Sequence, residues 1–115
     1  MRDLIYIKHG DCKTRLYGIW LYMKARCYDK NNAGYKWYGA RGIIVCDPWL
    51  SDFLTFKIWA LSHGYQSNLT IDRINHKGNY EPLNCQWLTN SENAKKAIRD
   101  NKLYIENIKI IKNEI

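Results

Sequence analysis

The stretch LTIDRINHKGNYEPLNCQWLTNSENAKK, residues 69–96, carries the pattern that decides the fold. LTIDRI is rich in β-forming residues, NHKGNYEPLN has the Asn, Gly and Pro of a loop, and CQWLT indicates a second strand. TNSENAKKAIRD predicts a helix, because Thr89 and Glu92 have the spacing of a capping box. The order strand, loop, strand and helix predicts an α+β unit at about residues 69–98.

Two helices and a short strand or turn are predicted before this unit. Thr14 can cap a first helix that runs to about Asp29, and its apolar stripe has helical spacing: Leu16, Ile19, Trp20, Met23 and Cys27. Three basic residues lie off this stripe and are expected in water: Arg15, Lys24 and Arg26. A second helix is predicted from about Ser51, as its N-cap, to His63, with Gly64 just beyond its end.

The segment YKWYGARGIIVCDPWL, residues 35–50, connects the two helices. GIIVC predicts a short strand, and Pro48 either ends that strand or starts the next helix. Gly39 and Gly42 flank Arg41, and glycines there would let the backbone approach a phosphate closely. The alternative is an ordinary glycine-rich turn with Arg41 in solvent.

The length of 115 residues favours one domain over the whole chain, residues 1–115. The tail of residues 101–115 fits a strand or an amphipathic helix equally well. We find no signal peptide, and no apolar run approaches the ~18 residues of a membrane helix. We therefore expect an intracellular, cytoplasmic protein without a membrane partner. A structural zinc site is not expected, because no two cysteines form a C-x-x-C pair; they are Cys12, Cys27, Cys46 and Cys85.

The composition is basic, with a net charge of +7 and a pI near 9.3. Such a surface favours a polyanion, most simply nucleic acid, although a merely soluble basic protein is the alternative. Trp37 lies beside Lys36 and Arg41 and is the best candidate to stack on a base. Lys95 and Lys96 belong to a basic cluster on the last predicted helix, which could follow a phosphate backbone or simply be solvated.

Five residues of the opening stretch resemble the motif of the ββα-metal, or HNH, nucleases in its PacI-like variant. In that variant a Tyr follows an Asp-Arg pair eight residues after the Asp, an Asn follows twelve after it, and a helical Asn comes later. Here these positions are Asp72, Arg73, Tyr80, Asn84 and Asn93. Upstream, TRLYGIWLYMKARCYDKNNAGYKWYGARGIIVCDPWL is similar to small bacteriophage proteins of the HNH type, and the similarity runs from about residue 9 to residue 96.

The resemblance implies a metal-dependent DNA endonuclease that uses one divalent ion, Mg²⁺ or Mn²⁺. It implies Asp72 as a carboxylate ligand and Asn93 as a carbonyl ligand from the facing helix. Asn84 would fix the loop by bonding its backbone. Neighbours on a regular strand point to opposite faces, so Asp72 and Arg73 can reach one site only where the strand ends or bulges.

The general base is the part of the motif in which this chain departs from the common HNH pattern. The common HNH motif has a His where this chain has Arg73, and the PacI-like variant implies Tyr80 as the base. We expect Arg73 and the metal to favour the phenolate of Tyr80, and Arg73 also to contact the scissile phosphate. His76 is the rival base, because the pKa of a free imidazole, about 6.5, suits the task better.

Double-stranded DNA is the implied partner. A monomer with one such unit would nick one strand, and a homodimer could cut both. The alternative is a fold kept without catalysis, which would serve as a DNA-binding module or as an inhibitor of a host defence nuclease. The replaced His and the short chain keep that alternative open.

Overall fold

A computed structural model describes the backbone of residues 11–113 and the side chains of residues 11–102, 105 and 106. Helices surround a two-stranded antiparallel sheet, so the protein is a small α+β domain. The elements in chain order are α1 (Arg15–Tyr28), α2 (Asp47–Ser51), α3 (Phe53–Ser62), β1 (Thr70–Arg73), β2 (Cys85–Leu88) and α4 (Asn90–Asn113). Single 3₁₀ turns lie at Tyr35–Trp37, Gly39–Arg41 and Pro82–Asn84.

The first helix forms as predicted. The hydroxyl of Thr14 caps α1 by accepting a hydrogen bond from the backbone N–H of Tyr17. The predicted stripe faces the core, with Ile19 partly buried and the others fully buried: Leu16, Trp20, Met23 and Cys27. The expectations for Lys24 and Arg26 are wrong, because both residues are half-buried rather than in water. The Nζ of Lys24 lies 3.4 Å from the centroid of the Trp20 ring.

The second predicted helix forms as α3, and the short helix α2 precedes it. Pro48 lies in the first turn of α2, where a missing N–H costs nothing. Asp52 rather than Ser51 caps α3, and its carboxylate accepts hydrogen bonds from the N–H of Leu54 and the hydroxyl of Thr55. Ser51 and Asp52 are adjacent candidates for this N-cap. Asp52 takes it because the two oxygens of its carboxylate reach both donors.

The predicted strand GIIVC is also corrected. Only Val45 forms a β-bridge, a parallel one with Tyr80. The neighbouring backbone groups bond side chains instead, since Asn79 accepts from the N–H of Ile44 and the Tyr28 hydroxyl accepts from the N–H of Val45. Side chains thus take the place of a partner strand.

The core fills the space between α1, α2, α3 and one face of the sheet. It is dominated by aromatic rings, among them Trp20, Trp49, Phe56, Trp59 and Trp87. The indole N–H of Trp20 donates to the carbonyl oxygen of Trp49 at 2.7 Å, which ties α1 to α2. These tryptophans are therefore packing residues, and their burial fixes the sheet against the helices.

The hairpin and α4 complete the fold. Asp72 pairs with Gln86 and Arg73 with Cys85 in the antiparallel register. Thr89 and Glu92 form the predicted capping box at the start of α4, with reciprocal hydrogen bonds of 2.8 and 3.1 Å. Of the two conformations open for the tail, the structure has the helix, which continues to residue 113; residues 114 and 115 lie outside the described part. No helix within residues 11–113 is long and apolar enough to cross a membrane.

Candidate functional site

A cleft of about 410 Å³ opens at the end of β1, between α1, the hairpin loop and α4. Six residues singled out from the sequence line it: Asp72, Arg73, His76, Tyr80, Asn93 and Lys96. They come from the strand, the loop and the helix, and are separated by up to 24 positions in the sequence (96 minus 72). The fold thus brings most of the predicted site to one place, although Asn84 supports the cleft from behind and does not line it.

Asp72 and Arg73 both reach the cleft because β1 ends at Arg73. Asp72 lies on the sheet face toward α4, where Gln86 across the strand pair donates to its Oδ2 at 3.0 Å. Arg73 starts on the opposite face, next to the core, and its Nη1 donates to the carbonyl oxygens of His76 and Gly78 in the loop. The strand end resolves the opposite-face conflict that the alternation of a strand poses.

Asn84 holds the loop that follows β1. Its Nδ2 donates to the carbonyl oxygens of Asn75 and Asn79 at 3.1 and 2.9 Å, and its Oδ1 accepts from the N–H of Asn75 at 2.9 Å. A Cβ on Gly78 would lie 2.7 Å from this Nδ2, so the close approach needs a glycine. One side chain therefore joins three backbone groups across the loop.

Replacing Asn84 with alanine should lower the free energy of unfolding by about 2 kcal/mol, because three backbone hydrogen bonds lose their partner at a half-buried position. Urea unfolding measures this loss. Asn31→Ala is the matched control, since Asn31 is exposed and its side chain bonds no described residue. Equal stability of the two variants would contradict the bridging role.

The face of α4 toward the cleft carries Asn93, Lys96 and Asp100. The amide Nδ2 of Asn93 donates to the Thr70 hydroxyl at 2.9 Å, which leaves the amide oxygen as its remaining polar end. Lys96 lies with its Nζ 3.7 Å from Asp72 Oδ1 and 3.3 Å from both Asp100 Oδ2 and the carbonyl oxygen of Arg73. Lys96 and Asp72 form a well-shielded pair, with side chains only 14% and 10% exposed.

Tyr80 is deeply buried, with 2% of its surface exposed. Its ring stacks on Tyr38 with centroids 6.2 Å apart, and its backbone bonds Ile44 and Cys46 at 2.9 Å. Burial raises the pKa of Tyr80 above its ordinary value, while Arg26 and Arg73 pull that pKa down. The expected influence of Arg73 is thus present in direction, but burial outweighs it, so the phenol is the resting form.

The predicted nucleic-acid residues of the connecting segment lie on the surface beside the cleft. Trp37 is 53% exposed, and its ring centroid lies 5.3 Å from the Nζ of Lys36 and 4.8 Å from the Cζ of Arg41. These three residues form an exposed cationic and aromatic patch. The two lysines of α4 differ in exposure, because Lys95 is exposed whereas Lys96 is half-buried in the cleft.

The two glycines that flank Arg41 serve packing and turn geometry. A Cβ at Gly39 would lie 2.2 Å from the carbonyl oxygen of Cys27 and 2.3 Å from the ring of Tyr35. Gly42 has φ = 84°, the left-handed conformation that ends a 3₁₀ turn. The glycine-rich turn is therefore the better description of this segment than a close approach to phosphate.

Five further residues line the cleft that sequence analysis did not place there, and three of them have polar side chains: Arg26, Tyr38 and Asp100. Asp100 follows Lys96 by four residues on the same helix, and that spacing could have indicated it. Arg26 and Tyr38 offer no such local signal, because what brings them to the cleft is the packing of α1 against the 3₁₀ turns.

Cys27, Cys46 and Cys85 are free thiols. Burial raises the pKa of Cys85 to about 12 and also raises the pKa of Cys27. Within residues 11–113, no three His, Cys, Asp or Glu side chains converge as a set of metal ligands. Among the described residues that line the cleft, the carboxylates of Asp72 and Asp100 and the side-chain amide of Asn93 carry oxygen atoms that could bind a cation.

No family model, curated protein or solved structure matches this chain. The function is therefore argued from the geometry of the cleft.

Proposed function

We propose that the protein is a metal-dependent DNA endonuclease of the HNH type, acting on double-stranded DNA in the cytoplasm. In this proposal β1, its loop, β2 and the start of α4 are a ββα-metal unit. One observation carries the proposal: Asp72, Arg73, Tyr80 and Asn93, the four motif residues with chemical roles, line a single cleft. A chance similarity of spacing would give no reason for these side chains to converge.

The donor set of the cleft fits one hard divalent cation. Mg²⁺ in proteins is often held by one or two protein oxygens, with water and substrate phosphate supplying the rest. Asp72 Oδ1 and the amide oxygen of Asn93 are such donors, because their neighbours Gln86 and Thr70 bond the other end of each group. When bound, the ion would neutralise charge on the phosphoryl and leaving oxygens.

Lys96 is the competitor for that position. Its ammonium lies 3.7 Å from the same Asp72 oxygen, and a cation there already offsets the carboxylate charge. Asp100 offers this ammonium a second partner at 3.3 Å, so Lys96 can release Asp72 without losing an ion pair. A DNA phosphate bound in the cleft would also attract the ammonium of Lys96 away from Asp72.

The remaining groups would act on the substrate directly. Arg73 projects a guanidinium into the cleft and would hold a phosphoryl oxygen, since only its Nη1 is used by the loop. Tyr80, in its phenolate form, would take the proton of the attacking water and become the neutral phenol. His76 is the other titratable group of the loop that lines the cleft. Asn84 would keep the loop in shape.

The proposal is tested by incubating supercoiled DNA with the purified protein and Mg²⁺ or Mn²⁺. We expect nicked circles from a monomer, linear DNA from a dimer, and no product when a chelator replaces the metal. Gel filtration of the same sample gives the oligomeric state. Intact DNA in every metal condition, together with retained DNA binding, would remove the nuclease assignment.

A second candidate is a DNA-binding module without catalysis. Two observations favour it: Lys96 neutralises the carboxylate that a metal needs, and burial raises the pKa of the proposed base Tyr80. The two candidates share the basic patch around Trp37 and differ in metal binding. Mn²⁺ titration followed by electron paramagnetic resonance separates them, because the module would bind DNA but no ion.

A further inference from the structure

Two arginines from distant parts of the chain share one pair of tyrosine rings. The Cζ of Arg26, on α1, lies 4.7 Å from the ring centroid of Tyr38 and 5.6 Å from that of Tyr80. The Cζ of Arg73, at the end of β1, lies 4.9 and 5.2 Å from the same two centroids. Both arginines line the cleft, so the stacked rings hold two guanidinium groups at one wall.

Neither guanidinium has an acidic partner among the described residues. Arg26 donates only from Nη1, to the Tyr38 hydroxyl at 3.3 Å, and Arg73 donates from Nη1 to two backbone carbonyls. The two acids of the cleft, Asp72 and Asp100, are paired with Lys96 instead.

Arg26 is the more unusual of the two. It is half-buried, and its Nε is fully buried without a hydrogen-bond partner. Taking a guanidinium out of water without a counter-charge costs free energy, and the tyrosine faces offset only part of that cost. A second positive group beside it raises the cost further. Such an arrangement is stabilised when an anion enters and neutralises both groups.

We infer that Arg26 and Arg73 form a phosphate-binding pair, in which α1 supplies a second guanidinium for a phosphodiester of the nucleic acid. Planar guanidinium groups match the oxygens of phosphate and bind them with paired hydrogen bonds. The stack of Tyr38 and Tyr80 sets the position of both side chains before the ligand arrives. The inference rests on the proposed function in naming DNA as the ligand, but binding needs neither metal nor cleavage.

The pair predicts a specific loss of DNA affinity in a chelating buffer, where nothing is cut. Arg26→Gln should weaken binding of a short labelled duplex about tenfold, because a charge-assisted contact is lost. The slope of log affinity against log salt should become shallower by about 0.9, the value for one phosphate contact. Arg26→Lys should retain the slope and lose part of the affinity. Fluorescence anisotropy measures both quantities.

Lys30→Gln is the matched control, because it removes the same charge as Arg26→Gln. Lys30 is exposed just after α1 and does not line the cleft. Equal affinity and equal slope for Arg26→Gln and Lys30→Gln would overturn the inference. If Arg26→Gln does not fold, phosphate binding by the native protein tests the inference instead. Inorganic phosphate should then shift the side-chain NMR signals of Arg26 and Arg73 together. An Arg26 signal that does not shift with phosphate would overturn the inference.

The outcome is separable from that of the nuclease assay. If the protein cleaves DNA but Arg26 does not bind phosphate, the nuclease proposal stands and the phosphate-binding pair is wrong. Phosphate binding at both arginines without cleavage under any metal would leave the pair and remove the nuclease.

Discussion

Asp72→Asn should reduce the rate of DNA cleavage about a thousandfold. A bound divalent ion supplies several kcal/mol of charge stabilisation in the transition state, and about 1.4 kcal/mol corresponds to a factor of ten. The amide of Asn carries no charge for the ion, although it can still accept the hydrogen bond from Gln86 through its oxygen. Rates of nicking in Mg²⁺ and the affinity for Mn²⁺ should therefore fall together.

The substitution also breaks the ion pair with Lys96, so its control must break a comparable pair elsewhere. Asp11→Asn does so, because Asp11 lies 2.8 Å from the Nζ of Lys57 and neither residue lines the cleft. We expect Asp11→Asn to cut at the native rate with a small loss of stability. Native cleavage by Asp72→Asn would show that this carboxylate holds no catalytic metal.

Local interactions explain which parts of the fold could be predicted from the sequence. The Thr14 cap, the stripe of α1 and the capping box of Thr89 and Glu92 all join residues within a few positions of one another. Their geometry is fixed by the helix itself, so spacing in the sequence is sufficient. The same holds for Gly64, whose φ of 84° follows directly from its place after α3.

Long-range packing explains the errors. GIIVC has the composition of a strand, but whether it pairs depends on Tyr80, some 35 residues later (80 minus 45), which meets it at a single residue. Arg26 lies off the apolar stripe, and helical periodicity assigns such residues to water. The turns at residues 35–41 and the ring of Tyr80 cover that side of α1, and no pattern within the helix signals this.

The site shows the same division. The resemblance, which is a pattern of positions, singles out Asp72, Tyr80 and Asn93, and these three residues line one cleft. The electrostatic state of these groups depends on neighbours that spacing does not reveal. The sequence leaves Lys96 either on a phosphate backbone or in solvent, whereas the structure pairs its ammonium with Asp72. The resemblance predicts easier ionisation of Tyr80, whereas only 2% of its surface is exposed.

Tyr80→Phe is expected to slow cleavage by about two to four orders of magnitude, the usual contribution of a general base. The substitution keeps the ring that stacks on Tyr38, so the cleft and the two arginines should stay in place. The rate of the native protein should rise steadily with pH. Because burial raises the pKa of Tyr80, its phenolate stays the minor form across the accessible range and increases about tenfold with each pH unit.

His76→Ala separates this base from its rival. His76 is exposed, and the loop uses its backbone carbonyl rather than its ring to hold Arg73, so the substitution leaves that contact intact. With Tyr80 as the base, His76→Ala should keep the native pH profile and most of the rate. With His76 as the base, His76→Ala would instead slow cleavage by about two to four orders of magnitude. A large loss of rate in His76→Ala, with near-native cleavage by Tyr80→Phe, would assign the base to His76 and leave Tyr80 as the ring that positions the two arginines.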